Sequence, residues 1–275
     1  MSDATVSIPR PKIIAIANQK GGVGKTTTAI NLGTGLAAVG KRILLIDIDP
    51  QGNASTGLGL TAEKRTLTSY DLLLTDVAPE DVVYETQVPN LFLIPSTTDL
   101  SSADVQLAET AGRAVQLRQL LRGVAFDPFN LDYILIDCPP SLNLLTVNAM
   151  VAAHSVLVPL QCEFFALEGL SQLMLSIRDV RQTLNQELRI EGVVLTMYDS
   201  RNNLSQQVEN DVRENLGDLV FETVIPRNVR LSEAPSYAMP ALIYDHTSKG
   251  SIAYQKLAAE LLRRHSKKNQ NNARN

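Results

Sequence analysis

The sequence predicts an α/β fold: a doubly wound, mostly parallel sheet with helices on both faces. Three observations carry that expectation. Short runs of consecutive apolar residues recur along most of the 275 residues. Longer stretches with apolar residues at helical spacing lie between them, and a glycine-rich turn leads from the first run straight into the first helical stretch. A parallel sheet joined by helical crossovers requires this alternation.

Six runs read as strands: Ile13-Ile14-Ala15-Ile16-Ala17, Ile43-Leu44-Leu45-Ile46, Leu91-Phe92-Leu93-Ile94, Tyr133-Ile134-Leu135-Ile136, Ser155-Val156-Leu157-Val158 and Val193-Val194-Leu195. They are apolar at successive positions, as strands covered on both faces must be. Val220–Ile225 reads as one further strand. Helices are predicted over Thr26–Val39, Ser102–Leu121 with a break near Gly112, Leu167–Leu184 and Leu204–Leu216. In the last segment Tyr254, Leu257, Ala258, Leu261 and Leu262 share one helical face, and Arg263, Arg264 and His265 follow where cations suit the helix dipole.

Composition agrees with a packed chain: 44% hydrophobic, 20% charged, ordinary Gly and Pro, no Trp. Collagenous and disordered classes are excluded. The length suits one large domain, or at most two, at about 100–200 residues each. There is no internal repeat and no long linker. One domain over residues 12–265 is expected, with a flexible tail at 1–11 and a basic polar tail at 266–275. No apolar run approaches the roughly 18 residues that span a bilayer, and no secretory signal is evident. Two cysteines, Cys138 and Cys162, cannot build a disulfide framework, so a reduced cytosol fits.

Net charge is −4, which by itself argues against a nucleic-acid partner. The charge is uneven, however. From Lys249 onward seven Lys and Arg accompany a single acid, Glu260, leaving a net −10 on the preceding 248 residues. A basic terminal segment on an acidic body fits either a polyanion contact or a solvated, frayed helix end.

The most informative segment is Lys20-Gly21-Gly22-Val23-Gly24-Lys25-Thr26-Thr27, between the first strand and the first helix. The common phosphate-loop pattern, G-x-x-x-x-G-K-[ST], is intact at its Gly-Lys-Thr end. Its first position is Gln19 rather than Gly, and a second lysine, Lys20, follows. Backbone N–H groups close on phosphate oxygens only where no Cβ intrudes, and the helix start adds unpaired N–H groups and a positive dipole end. Lys25 is placed to reach the β- and γ-phosphates, and the Thr26 hydroxyl to ligate Mg²⁺. A turn whose glycines serve only the bend is the plainer alternative, but strand, loop, Lys-Thr and helix in this order indicate a nucleotide site. Asp47, Asp49 and Asp137 follow apolar strands, and acids so placed lie at the carboxyl edge of the sheet where ligands of open α/β folds bind. One such acid normally supports Mg²⁺ and another orients the attacking water; taken singly, each is more simply a turn or cap residue.

These residues resemble the deviant Walker A ATPases, the MinD/ParA group of P-loop NTPases. Asp47-Ile48-Asp49-Pro50-Gln51-Gly52-Asn53 and Ile225-Pro226-Arg227-Asn228-Val229-Arg230-Leu231-Ser232-Glu233-Ala234-Pro235 are similar to the ParA (Soj-type) partition branch, and the likeness runs from about residue 12 to about 262. The resemblance implies ATP and Mg²⁺ as cofactors and an ATP-bound homodimer. It implies that Lys20 crosses the dimer interface to the partner's ATP and that Gly21 lies where the subunits approach closely. By the same resemblance Gly22, Val23, Gly24, Lys25, Thr26 and Thr27 bind ATP, Asp49 positions the hydrolytic water, Asp137 acts on Mg²⁺ through water, and Pro226 and Asn228 contact adenine. Without the family, Pro226 reads as a strand terminator.

The family's ATP dimer binds double-stranded DNA without sequence preference and releases it after hydrolysis, stimulated by a ParB-type centromere-binding partner. Arg201 and Arg230 resemble its DNA-contacting arginines, with Arg227 and Lys249 as weaker candidates; each reads otherwise as a surface ion-pair residue. The expected protein is a weak, partner-stimulated Mg-dependent ATPase, cytoplasmic and nucleoid-associated, that segregates or positions chromosome or plasmid DNA. Two departures stand out. His246 occupies a position where relatives often have Pro, and too few residues precede the first strand for the helix-turn-helix domain of longer plasmid relatives. A MinD-like regulator of another cargo or of the division site would require an amphipathic C-terminal membrane anchor, but the apolar stripe stops at Leu262. Cys138 and Cys162 do not fit an iron–sulfur ATPase resembling nitrogenase reductase and read as small buried residues. An ATP-binding DNA scaffold without hydrolysis is disfavoured by Asp49.

Overall fold

In a computed structural model of the chain, which describes residues 10–109 and 112–272, seven strands form one sheet. They are β1 (Lys12–Ile16), β2 (Ile43–Asp47), β3 (Tyr84–Glu85), β4 (Leu91–Ile94), β5 (Tyr133–Asp137), β6 (Ser155–Gln161) and β7 (Arg189–Thr196), in the spatial order β3-β4-β2-β5-β1-β6-β7. Only the β3–β4 pair is antiparallel. Each of the six predicted runs is a strand. The two-residue β3 is too short to leave a periodic signal.

Alternate residues of each central strand feed separate cores. Ile13 and Ala15 of β1, Leu44 and Ile46 of β2, and Ile134 and Ile136 of β5 face one side; Ile14 and Ile16, Ile43 and Leu45, and Tyr133 and Leu135 face the other. Both faces are covered, which is why these strands carry no polar alternation. On the second face lie α1 (Lys25–Ala38) and the C-terminal helix (Lys249–Asn272). They cross closely: a Cβ on Gly35 would lie 3.1 Å from the Ala258 Cβ, and Thr28 and Tyr254 share a buried hydroxyl–hydroxyl hydrogen bond of 3.0 Å. The helices Leu100–Glu109, Gln116–Leu121, Leu144–Ala152, Ala166–Thr183 and Asn203–Leu216 belong to the other layers of the fold. The break expected near Gly112 is present, with Gly112 at φ +76°.

Val220–Ile225 is not a strand. The amides of Phe221 and Ile225 donate to Val193 and Leu195 of β7, but those of Glu222 and Thr223 donate to the buried Glu260 carboxylate, at 2.8 and 2.9 Å. That side chain takes the amides a ladder would need. The C-terminal helix also continues through Asn272, so residues 266–272 extend a helix where a tail was expected; 273–275 and 1–9 lie outside the described residues. Arg264 donates to the carbonyls of Asp218 and Val220 and to Glu260, and its guanidinium lies 4.1 Å from the Phe221 ring centroid. Arg263 pairs with Glu222. Two arginines of the basic segment are therefore engaged within the fold.

At the amino edge of the sheet, β6 and β7 slip by one residue: Val156 pairs with Ile190 and Leu157 with Gly192, leaving Glu191 as the extra residue of a bulge. Glu191 is buried and accepts from the Ser155 hydroxyl (2.6 Å), Lys12 Nζ (2.8 Å) and His265 Nε2 (2.9 Å). Burial raises its pKa, but the His265 hydrogen bond and the Lys12 charge outweigh this and hold it well below the usual carboxylate range. This cluster ties the C-terminal helix to three strands.

The bulge depends on a missing side chain. A Cβ on Gly192 would fall 2.5 Å from the Phe221 ring and 2.8 Å from the Leu219 carbonyl oxygen. Gly192→Ala should therefore destabilise the protein by about 1–3 kcal/mol, read as a lower urea midpoint at unchanged m-value.

Candidate nucleotide site

Strand order builds the site. The chain leaves β1, passes over the later position of β5 and forms β2; β5 then returns between them, so the carboxyl ends of β1, β2 and β5 are adjacent. Open α/β sheets bind ligands at such a crossover. In register, Ile16 and Asp47 are both partners of Asp137. The loop after β1 thus lies over two neighbouring carboxylates.

That loop takes shapes only glycine adopts easily: Gly22 and Gly24 have φ of +74° and +87°. Gly24 is the N-cap of α1 and no side chain caps the helix, leaving its first-turn amides open to an anion. The Lys25 ammonium folds back to donate to the Lys20 carbonyl at 3.0 Å, and the buried Thr196 hydroxyl donates to the Val23 carbonyl at 2.8 Å. Asn18 accepts from the Lys20 amide and donates to the Pro159 carbonyl. The Lys20 side chain is half-exposed and paired with Glu163 at 2.5 Å. Gly21 is exposed, with nothing in the chain within 4 Å of a Cβ placed on it.

Beneath the loop lie Asp47 and Asp137, fully buried, with Asp49 8% and Lys25 6% exposed. Asp47 accepts from the Ser55 amide (2.9 Å) and hydroxyl (2.7 Å) and from the Asp49 amide (3.2 Å). Burial pushes its pKa up to about 6 against those hydrogen bonds. Neither Asp137 oxygen has a well-formed hydrogen bond. Burial raises its pKa well above the ordinary value, Asp47 raises it further, and the Thr26 hydroxyl and Lys25 oppose the shift. Burial lowers the Lys25 pKa, while Asp137, the Cys138 thiol and Asp49 act in the other direction. An orphaned buried carboxylate beside a threonine hydroxyl, below helix-start amides, is a donor set suited to Mg²⁺ carrying a phosphate.

A cavity of about 560 Å³ adjoins the loop, lined by Gly24 and Thr27, by Thr196 and Met197 after β7, by Ile225 to Val229, and by Tyr254 among others. Its size and largely apolar lining suit a nucleoside. Pro226 and Asn228 both line it. The Asn228 side chain also caps the helix Val229–Glu233 by accepting from the Arg230 amide.

The four cationic candidates are not gathered with the phosphate loop. Only Arg227 lines its cavity. Arg201, 88% exposed along its side chain, forms a two-pronged pair with Asp199, at 3.0 and 2.9 Å. Arg230 pairs with Glu233 (2.7 Å) and Asp245 (3.4 Å). Lys249 lines a separate groove with Lys256 and Pro226. His246 lies in a turn. Cys138 and Cys162 are buried free thiols. Burial pushes both thiols up, Cys162 to about 12.

Several site residues carry no sequence signal. Glu163, Ser55 and Thr196 lie in no motif; Glu163 and Thr196 reach their partners through strand order and Ser55 through the turn after β2. Tyr254 reads as a core residue, and its hydroxyl is spent on α1.

Fold and loop define the class: a P-loop nucleotide-binding α/β protein with a second lysine in its phosphate loop. A family model described as an AAA domain matches residues 11–190. The chain is 59% identical over 254 residues to the chromosome partitioning protein ParA of Caulobacter vibrioides, covering 92% of this chain and 94% of that protein. It is 53% identical over 250 residues to the sporulation initiation inhibitor protein Soj of Bacillus subtilis, covering 91% and 98%. Among solved structures it resembles a cobyrinic acid a,c-diamide synthase from Mycobacterium smegmatis with bound ADP and magnesium, at TM-score 0.80 and 38% identity, covering 93% of this chain and 96% of that one. The chain belongs to the ParA/Soj family of chromosome-partitioning ATPases.

The Asp137 environment has a measurable consequence. An acid whose pKa is raised on folding makes the folded state the better proton binder, so it lowers stability progressively as pH rises from the unfolded to the folded pKa. Asp137→Asn removes that group. In metal-free buffer the stability of Asp137→Asn relative to the natural chain should rise as pH goes from 4 to 7, by up to about 1.4 kcal/mol per pH unit, in urea titrations across that range.

Proposed function

We propose that this chain is an ATP-dependent dimerising ATPase that binds DNA without sequence preference in its ATP state and segregates or positions chromosome or plasmid DNA with a ParB-type partner. The observation that carries the reading is the lysine-bearing phosphate loop closed over the buried Asp47, Asp49 and Asp137, in a chain so similar to ParA and Soj over nearly its whole length.

The roles we assign are those the family resemblance implies, and the positions of the residues support them. The loop residues Gly21 to Thr27, with the α1 amides, hold the phosphates, and Lys25 supplies the charge facing their β- and γ-oxygens. Pro226 and Asn228 face the base in the adjoining cavity. Thr26 and, through water, Asp137 would hold Mg²⁺, which when bound with ATP neutralises phosphate charge. Asp49 orients the attacking water. Its Oδ1 already accepts from the Gln51 amide at 3.0 Å, which fixes the carboxylate's direction.

Lys20 and Gly21 are the dimer elements. Both are accessible, and the Lys20–Glu163 pair has to open before Lys20 reaches a partner's nucleotide. A side chain on Gly21 meets nothing within one chain, so its effect would be felt between chains. Arg201, Arg227, Arg230 and Lys249 are the DNA contacts. Dimerisation doubles the phosphates neutralised, and affinity scales steeply with that number. The apolar stripe Tyr254, Leu257, Ala258 and Leu261 is buried, and among the described residues no helix is long and apolar enough to cross a membrane. The burial of the stripe favours DNA over a lipid surface as the partner.

The test is retention of the natural chain on double-stranded DNA with ATP, with ADP and without nucleotide, across a salt series. Retention should require ATP and fall steeply with salt; equal retention in all three conditions overturns the reading. Asp49→Ala should bind ATP, dimerise and stay on DNA without turnover. Arg230→Glu should dimerise with ATP yet lose DNA; a monomer under ATP would point instead to a folding or interface defect.

A further inference from the structure

The loop that carries Asp49 is braced by a side chain outside every motif. We propose that Arg65 is a positioning residue for ATP hydrolysis, clamping the segment 49–53 so that Asp49 stays aimed at the reacting phosphate. The inference rests on the reading of the chain as an ATPase.

Arg65 follows a single 3₁₀ turn, Ala62–Lys64, at the protein surface, yet its guanidinium turns inward and makes four hydrogen bonds. Nε and Nη2 donate to the Leu60 carbonyl (3.0 and 2.8 Å), Nη1 donates to the Ser96 carbonyl (3.0 Å), and Nη2 donates to the Thr56 hydroxyl (2.7 Å). Thr56 passes the connection on by donating to the Gly52 carbonyl at 3.1 Å. Contact with Gly52 is also direct: a Cβ there would fall 2.4 Å from Arg65 Nη1 and 2.8 Å from the Ser96 oxygen. Gly52 has φ +61°, so glycine suits this position for its backbone shape and for the space Arg65 occupies.

The same segment is held from inside by Asp47. Its carboxylate accepts from the Asp49 amide and from Ser55, whose hydroxyl accepts from the Ser96 amide at 3.0 Å. Ser96 thus meets both braces, its amide through Ser55 and its carbonyl through Arg65. The Gly52 amide closes the turn onto the Asp49 carbonyl at 2.9 Å. The segment that carries Asp49 is therefore held on one side by a buried carboxylate and on the other, through Thr56 and Gly52, by a planar fork of donors that lysine cannot reproduce. Displacement of a catalytic group by about 1 Å can cost two orders of magnitude in rate while leaving binding intact.

The experiment measures ATP affinity and turnover separately, the latter at saturating Mg-ATP with DNA present. Arg65→Ala should keep ATP affinity within about twofold while turnover falls about tenfold or more. Arg65→Lys should not restore it. Added methylguanidinium should raise the turnover of Arg65→Ala, and methylammonium should not. Turnover within about twofold of the natural chain, or a parallel loss of affinity and turnover that methylguanidinium leaves unchanged, overturns the proposal. If Arg65→Ala does not fold, Thr56→Val carries the same test: turnover should fall with affinity retained and return in Thr56→Ser, and natural turnover in Thr56→Val overturns the proposal. A natural chain that binds but never hydrolyses ATP would instead overturn the reading of function beneath it.

Discussion

Three carboxylates and one ammonium are packed beneath the phosphate loop with almost no access to water, and the rest of the site follows from that constraint. It arises from topology. Because β5 enters between β1 and β2, Asp137 has Ile16 on one side and Asp47 on the other. Burial disfavours the charged forms of Asp47, Asp137 and Lys25. Asp47 is compensated by Ser55 and the Asp49 amide, whereas Asp137 is left without a well-formed hydrogen bond. A buried polar group in that condition costs about 1–3 kcal/mol. Retaining it at the carboxyl edge of a sheet, beneath uncapped helix amides, is the physical basis for assigning a cation and a phosphate there.

The opposite edge of the same strands is built differently. There the buried Glu191 has partners on several sides, in Ser155, Lys12 and His265. Buried charge at the amino edge is satisfied and joins the C-terminal helix to the sheet. At the carboxyl edge the buried Asp137 is left incomplete. Stability and chemistry are thus divided between the two ends of the same strands.

Charge on the surface shows the same dependence on placement. A net charge of −4 does not describe how the basic residues are used. Arg264 serves the packing of the C-terminal helix and Arg263 pairs with Glu222, so these two are not free cations of the basic terminus. Arg201 and Arg230 are exposed but held by neighbouring acids. Exposed pairs of this kind contribute little because solvent screens them, so a competing anion can displace the acid.

The fold class, all six longer strands, the phosphate loop and the three aspartates were legible in the residues alone, because each leaves a local signature: an unbroken apolar run, a Gly-Lys-Thr step, an acid directly after a strand. Sequence alone misjudges Val220–Ile225, whose composition suits a strand but whose amides are taken by Glu260 from 35 or more residues away. Short elements such as Tyr84–Glu85 are below the length at which a period is visible. Which strands are neighbours was settled in three dimensions, and with it the pairing of Asp47 with Asp137, of Lys20 with Glu163 and of Arg65 with Ser96. Those contacts join residues far apart in the chain through the order of strands in space, which no local pattern of side chains records.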